Sequence, residues 1–202
     1  MPDQHSTHYY YFNWSKERID EMDAALATFE RQYEQLQSDI RSQAQAALTK
    51  MRATRDSFRD TMTRQAKAGD SDWVRAKTDL ETQWDDFATQ ADKYVDALGK
   101  HAEQYQATFR ACAEAQMKAW QESAERLSEA AKAYAADQRA TFDSMASRMK
   151  ADASAAQAKF AQLSAGASEP WSALTTALAE TRAAFDRANR SAQEAFERVT
   201  RH

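Results

Sequence analysis

Large apolar residues recur at alternating steps of three and four along much of this chain, and very little interrupts them. Ile19, Met22, Leu26, Phe29, Tyr33, Leu36 and Ile40 follow the a/d spacing of a coiled-coil seam. The rhythm returns at Trp73, Lys77, Leu80, Trp84, Phe87, Ala91, Tyr94 and Leu98. Residues 14–163 contain two glycines, Gly69 and Gly99, and no proline. Strands would need apolar positions every second residue, so long amphipathic helices are the reading left. The predicted fold class is all-α: a long antiparallel coiled-coil or helical-hairpin rod of about three long helices. A two-helix rod leaves its seams half exposed, which predicts a homo-oligomer.

Punctuation along the chain sets the expected boundaries. Residues 1–13, with Tyr9, Tyr10, Tyr11 and Phe12, read as a flexible aromatic tail, and Asn13 can cap the first helix. Helix 1 is expected over 14–68, ended by Gly69-Asp70-Ser71-Asp72. A spine helix of roughly 140 Å follows over 72–164. Gly99 is a candidate kink in it, since one glycine costs only about 1 kcal/mol in a helix. Helix 3 spans 168–200, with Pro170 in its first turn. The two shorter helices would lie end to end along the spine in one elongated domain. The pairs Trp14/Trp120 and Trp73/Trp171 suggest an internal duplication.

The seam is unusual in what fills it. There are 21 aromatics but only 14 Leu, Ile and Val among 202 residues. Coiled coils built for tight self-pairing rely on Leu and Ile, so aromatics alternating with Ala suit an adaptable surface better. An Ala-heavy seam buries little area per residue, which predicts helices that are locally favoured but weakly held together. The candidate contact residues are Trp73, Leu80, Trp84, Phe87, Tyr94, Phe109, Trp120, Trp171, Leu174 and Phe185.

Several function classes are disfavoured. The net charge of −4 gives no general drive towards nucleic acid. The basic stretch from Lys50 to Lys67 reads as a solvated face complemented by Glu17, Asp20, Glu21, Asp23, Glu30 and Glu34. Cys112 is the only cysteine, so no internal disulfide forms, and it falls on the apolar phase as a small buried hydrophobe. None of His5, His8, His101 and His202 has a Glu three residues before it or a metal-ligand cluster around it. Three scattered glycines cannot form a phosphate loop, and acidic pairs such as Asp85-Asp86 diverge on a helix. No enzyme, metal or cofactor is expected. The absence of an 18-residue apolar run or a signal-like start points to a cytoplasmic protein, at a granule or membrane surface if it coats one.

The stretch Ala165-Gly166-Ala167-Ser168-Glu169-Pro170, then Trp171-Ser172-Ala173-Leu174-Thr175-Thr176-Ala177-Leu178, resembles the phasins. These bacterial proteins coat polyhydroxyalkanoate storage granules. Phe185, Asn189, Ala192 and Phe196 continue in a similar register. The resemblance implies a non-catalytic helical protein that binds an apolar granule or lipid-like surface. Trp84-Asp85-Asp86-Phe87 is similar to units of stress-associated bacterial coiled-coil proteins, which implies the alternative of a structural scaffold that docks protein partners.

Overall fold

The computed structural model describes residues 9–68, 72–99, 102–166 and 169–200. Six helices account for nearly all of them: α1 (Tyr9–Tyr33), α2 (Ser38–Lys67), α3 (Trp73–Leu98), α4 (Ala102–Ala131), α5 (Ala136–Ala165) and α6 (Trp171–Thr200). The all-α expectation is met, but in place of three long helices the chain makes six of 25–30 residues. Among the described residues none is long and apolar enough to cross a membrane.

The expected helix 3 is present whole as α6. Helix 1 is divided at 34–37 and the spine at Gly99 and at 132–135, two of these three corners having neither Gly nor Pro. At residues 34–37 the N–H groups of Gln35 and Leu36 turn back to the carbonyls of Gln32 and Tyr33, tightening the last turn of α1. Arg41 then reaches back to the carbonyls of Glu34 and Leu36, at 3.5 and 2.8 Å, and holds the corner. Helix propensity alone would carry the chain straight through. Folding back wins because it buries apolar faces that a straight rod leaves in water, and such packing supplies most helix stability. At Gly99 the backbone enters the left-handed region, φ 63°, so α3 stops there and the spine is broken rather than kinked.

The aromatic start is also different from the expected tail. α1 begins at Tyr9, four residues before Asn13, because Tyr9 and Tyr10 are buried. The Tyr9 hydroxyl donates to the Ser123 carbonyl at 2.8 Å, and the Tyr10 N–H donates to Gln193 Oε1 at 3.3 Å. Residues 1–8, and with them His5 and His8, lie outside the described residues, as do His101 and His202.

A duplication is visible at a spacing the tryptophans only half revealed. α2 and α5 begin at 38 and 136, and α3 and α6 begin at Trp73 and Trp171, each pair 98 residues apart. The turn bonds from 35 to 32 and from 36 to 33 recur from 133 to 130 and from 134 to 131. Arg41 on the Glu34 carbonyl has its counterpart in Arg139 on the Lys132 carbonyl, at 3.0 Å. Met51/Met149, Leu80/Leu178 and Phe87/Phe185 keep the same register. Trp14 and Trp120 do not: Trp120 corresponds to Met22.

Each repeat is an up-down-up unit of three helices. In the first, α2 runs back along α1, tied by Arg52–Glu30 at 2.6 Å and by Arg55 and Arg59 on Asp23 at 2.5 and 2.8 Å. Of the acidic residues expected to complement the basic stretch of α2, Asp23 and Glu30 do so, whereas Asp20 pairs with Lys16, Glu17 with Arg18 and Glu21 with Arg182. The repeats join through α1 and α4, which pack antiparallel: Tyr9 meets Ser123 near one end and Gln32 meets Gln104 near the other. The middle of this crossing falls near Ile19 and its equivalent Met117, which packs against both apolar cores. α6 crosses onto α1 as well, so the second repeat grips the first with two helices.

Candidate binding cleft

The ten seam residues predicted from sequence are mostly interior. Trp73, Leu80, Phe87, Tyr94, Phe109, Trp120, Leu174 and Phe185 are buried. They meet in interhelical ring pairs, such as Trp120 edge-on to Phe185 at 5.3 Å and Phe109 edge-on to Phe160 at 5.5 Å. Tyr94 packs on Phe29 and donates its hydroxyl to the Phe29 carbonyl at 2.9 Å. Only Trp84 and Trp171 stay half-exposed, and both stand on one cleft.

The cleft is about 320 Å³ and lies between the equivalent helices α3 and α6, over a floor of α1 and α4. Its α3 wall carries Trp84, Phe87, Ala88 and Ala91, its α6 wall Trp171, Leu178, Ala179 and Arg182. Ala25, Phe29, Thr108 and Cys112 form the floor. These residues sit together because their apolar positions recur along each helix on the face turned to its neighbours. An indole stands at each end of this open groove. At one, Trp171 Nε1 donates to Asp92 Oδ1 at 2.9 Å. At the other, the Arg182 guanidinium lies 4.4 Å over the Trp84 ring. Positions 84 and 182 are equivalents in the two repeats, so this contact spans the pseudo-symmetric joint.

Behind Arg182 lies a buried ionic cluster that no motif in the sequence announces. Arg182 donates to both Glu21 oxygens, Nη2 at 2.7 Å and Nε at 3.3 Å. Arg18 donates to Glu17 at 3.0 Å and grips Asp186 with both terminal nitrogens at 2.7 and 2.6 Å. Gln116 Nε2 bridges Glu21, at 3.2 Å, and the Leu178 carbonyl, at 3.0 Å. Burial pushes the Glu17 carboxyl well above the usual Glu range; Arg18 opposes this and the Glu21 charge reinforces it. Burial acts on Glu21 too, but the Arg182 charge and hydrogen bonds outweigh it and hold Glu21 below that range. Burial also raises the Cys112 thiol, with Glu21 adding to the effect, so it stays protonated and is a poor nucleophile.

The sequence signal for this cluster is faint. Glu17 and Glu21 are four residues apart, and so share a helix face, beside the apolar stripe of α1. Arg182 and Asp186 repeat that spacing on α6. Only the fold shows that the two pairs meet. Among the described residues no group of three or more His, Cys, Asp and Glu side chains is placed to hold a metal ion. Searches of protein-family profiles, curated proteins and solved structures find no match to this chain.

Proposed function

We propose that this is a non-catalytic helical protein that applies its aromatic helix faces to an apolar surface, phasin-like in role. In solution the bundle closes those faces upon one another; on a polymer granule or lipid-like surface the helices part and lay them down. The observation that carries the reading is the character of the core. Its apolar stripes are thin and laced with buried polar groups, among them Asn13, Gln106, Gln116, Ser123 and Asn189. Both amide atoms of Gln106, Gln116 Oε1 and the Trp120 indole nitrogen are buried without a hydrogen bond. Each such group costs about 1–3 kcal/mol, which lowers the barrier to exchanging this interior for another apolar phase.

A second reading has its own support. Among the described residues Phe12 and Val74 are the only large hydrophobics that are exposed, so the closed bundle offers a charged exterior. That suits a self-associating scaffold docking protein partners through its outer faces. Co-sedimentation with polyhydroxybutyrate granules and with neutral and anionic liposomes separates the two. The coat predicts saturable binding, a blue shift of tryptophan emission, and loss of both in the Trp84→Ala/Phe87→Ala double variant. A protein that stays in the supernatant as a stable oligomer, with unchanged emission, leaves the scaffold.

A further inference from the structure

We infer that the closed bundle binds a small, planar, apolar molecule bearing one neutral hydrogen-bond acceptor, seated between Trp84 and Trp171. Its size is the first argument. A cleft of about 320 Å³ is at the small-molecule end of the range for ligand sites and has no room for a helix. Its walls are the second. Phe87, Ala88, Ala91 and Leu178 give it apolar sides, and a half-exposed indole stands at each end, Trp84 with Arg182 over its ring.

Charge decides what the occupant carries. Arg182 commits Nε and Nη2 to Glu21, while its Nη1 makes no hydrogen bond among the described residues. Nη1, with its two N–H groups, therefore remains a free donor nitrogen on a residue that lines the cleft. Its charge, however, is already matched. Of the charged side chains lining the cleft, Glu21 and Asp92 outnumber Arg182, and Arg182 already answers Glu21. An anion would add to a surplus of carboxylates, and a cation would meet the Arg182 guanidinium and lose its own hydration. A neutral acceptor such as a ketone or ester carbonyl answers the free donor at neither penalty. The cleft exists only while α3 and α6 are held over α1 and α4, so this site belongs to the closed form. It goes beyond the surface reading, and its test contains no polymer or lipid.

The test titrates the full chain with the fluorescent naphthyl ketone prodan, with anionic anilinonaphthalene sulfonate as comparator. The expected result is saturable, one-to-one binding of the ketone with a blue-shifted emission, and much weaker binding of the sulfonate. Ala88→Trp fills the α3 wall and Ala179→Trp, at an exposed position, fills the α6 wall. Each should lower ketone affinity at least about tenfold while the helical circular dichroism is retained. Arg182→Lys keeps a cation beside Glu21 but removes the planar donor fork. It should weaken prodan severalfold and leave the carbonyl-free dimethylaminonaphthalene unchanged. Undiminished prodan binding in both filled variants would overturn the site. Sulfonate binding as tight as ketone binding, or equal weakening of both naphthalenes by Arg182→Lys, would overturn the neutral-acceptor assignment.

Discussion

The two repeats share a backbone plan and the buried pairs Met51/Met149, Leu80/Leu178 and Phe87/Phe185, but not the bulk of the rest of the core. The first fills its interior with Trp14, Phe29, Phe58 and Tyr94, all buried. The equivalent positions in the second are Cys112, Leu127, Ala156 and Ala192. The backbone turn bonds from 35 to 32, 36 to 33 and 41 to 37 recur at the 98-residue spacing, as does the arginine on the carbonyl at 34 and 132, so the corners set the skeleton while the bulk between them varies. Charge has diverged in the same way. Glu17 and Glu21 have Ala115 and Ala119 as counterparts; Arg18 beside Glu17 answers the first, while Glu21 is answered from the second repeat by Arg182, which stands where the first repeat has Trp84.

The largest effect expected from breaking that complementarity is at Arg182. Arg182→Met leaves Glu21 and Glu17 buried with one fewer cation and should cost towards the upper end of about 3–5 kcal/mol. Chemical denaturation would show it, and a loss below 1 kcal/mol would mean the cluster does not hold the halves together. Next comes the bulk of the first repeat. Phe58 is fully buried against Trp14, with ring centroids 6.3 Å apart, so Phe58→Ala should cost about 3 kcal/mol. The comparison would fail if Phe160→Ala, in the second repeat, cost clearly more.

A smaller effect follows from the opposed shifts of the two glutamates. Glu17 has a folded pKa above its unfolded value. Its contribution is therefore complete below the ordinary Glu value of about 4.3 and is lost as pH rises through the folded pKa. Glu21 is shifted down, so its contribution is present above that value and lost as pH falls through its folded pKa. Stability should peak between the two, on the mildly acid side. Glu17→Gln should remove the alkaline decline and leave the acid one, as read from denaturation midpoints across pH. An unchanged alkaline slope would point to another group.

The smallest difference expected is dynamic. α2 buries Phe58, Met51, Leu48 and four smaller residues and is tied to α1 by Arg52, Arg55 and Arg59. α5 buries five residues, two of them alanines, and has Lys159–Glu180, at 2.5 Å and largely exposed, as its interhelical ion pair. Exposed pairs contribute little. Amide hydrogen exchange should therefore reach α5 before α2, and the reverse order would contradict the packing argument.

Much of the fold was legible because period and polarity act locally. The a/d seam of Ile19 to Leu36 is buried as its spacing implies, with Tyr33 and Ile40 partly covered. The corners at 34–37 and 132–135 were not legible, since neither carries a residue that forbids a helix. They form because folded-back helices cover one another, a property of the whole chain. The cleft was half legible. Trp84, Phe87 and Trp171 stand out as aromatics in register, whereas nothing in the sequence marks Arg182. Its role depends on Glu21, 161 residues away.

The antiparallel crossing of α1 and α4 carries a consequence for assembly. Two equivalent helices meeting about a central point are the usual form of a homodimer interface, except that both copies are written on one polypeptide. The connection between α3 and α4, just past Gly99, sets their effective concentration, in the millimolar range for a short tether, whatever the protein's own abundance. Severing the chain there would turn an internal joint into a bimolecular equilibrium. Two fragments that are inert apart would then complement each other, with a midpoint that moves as they are diluted.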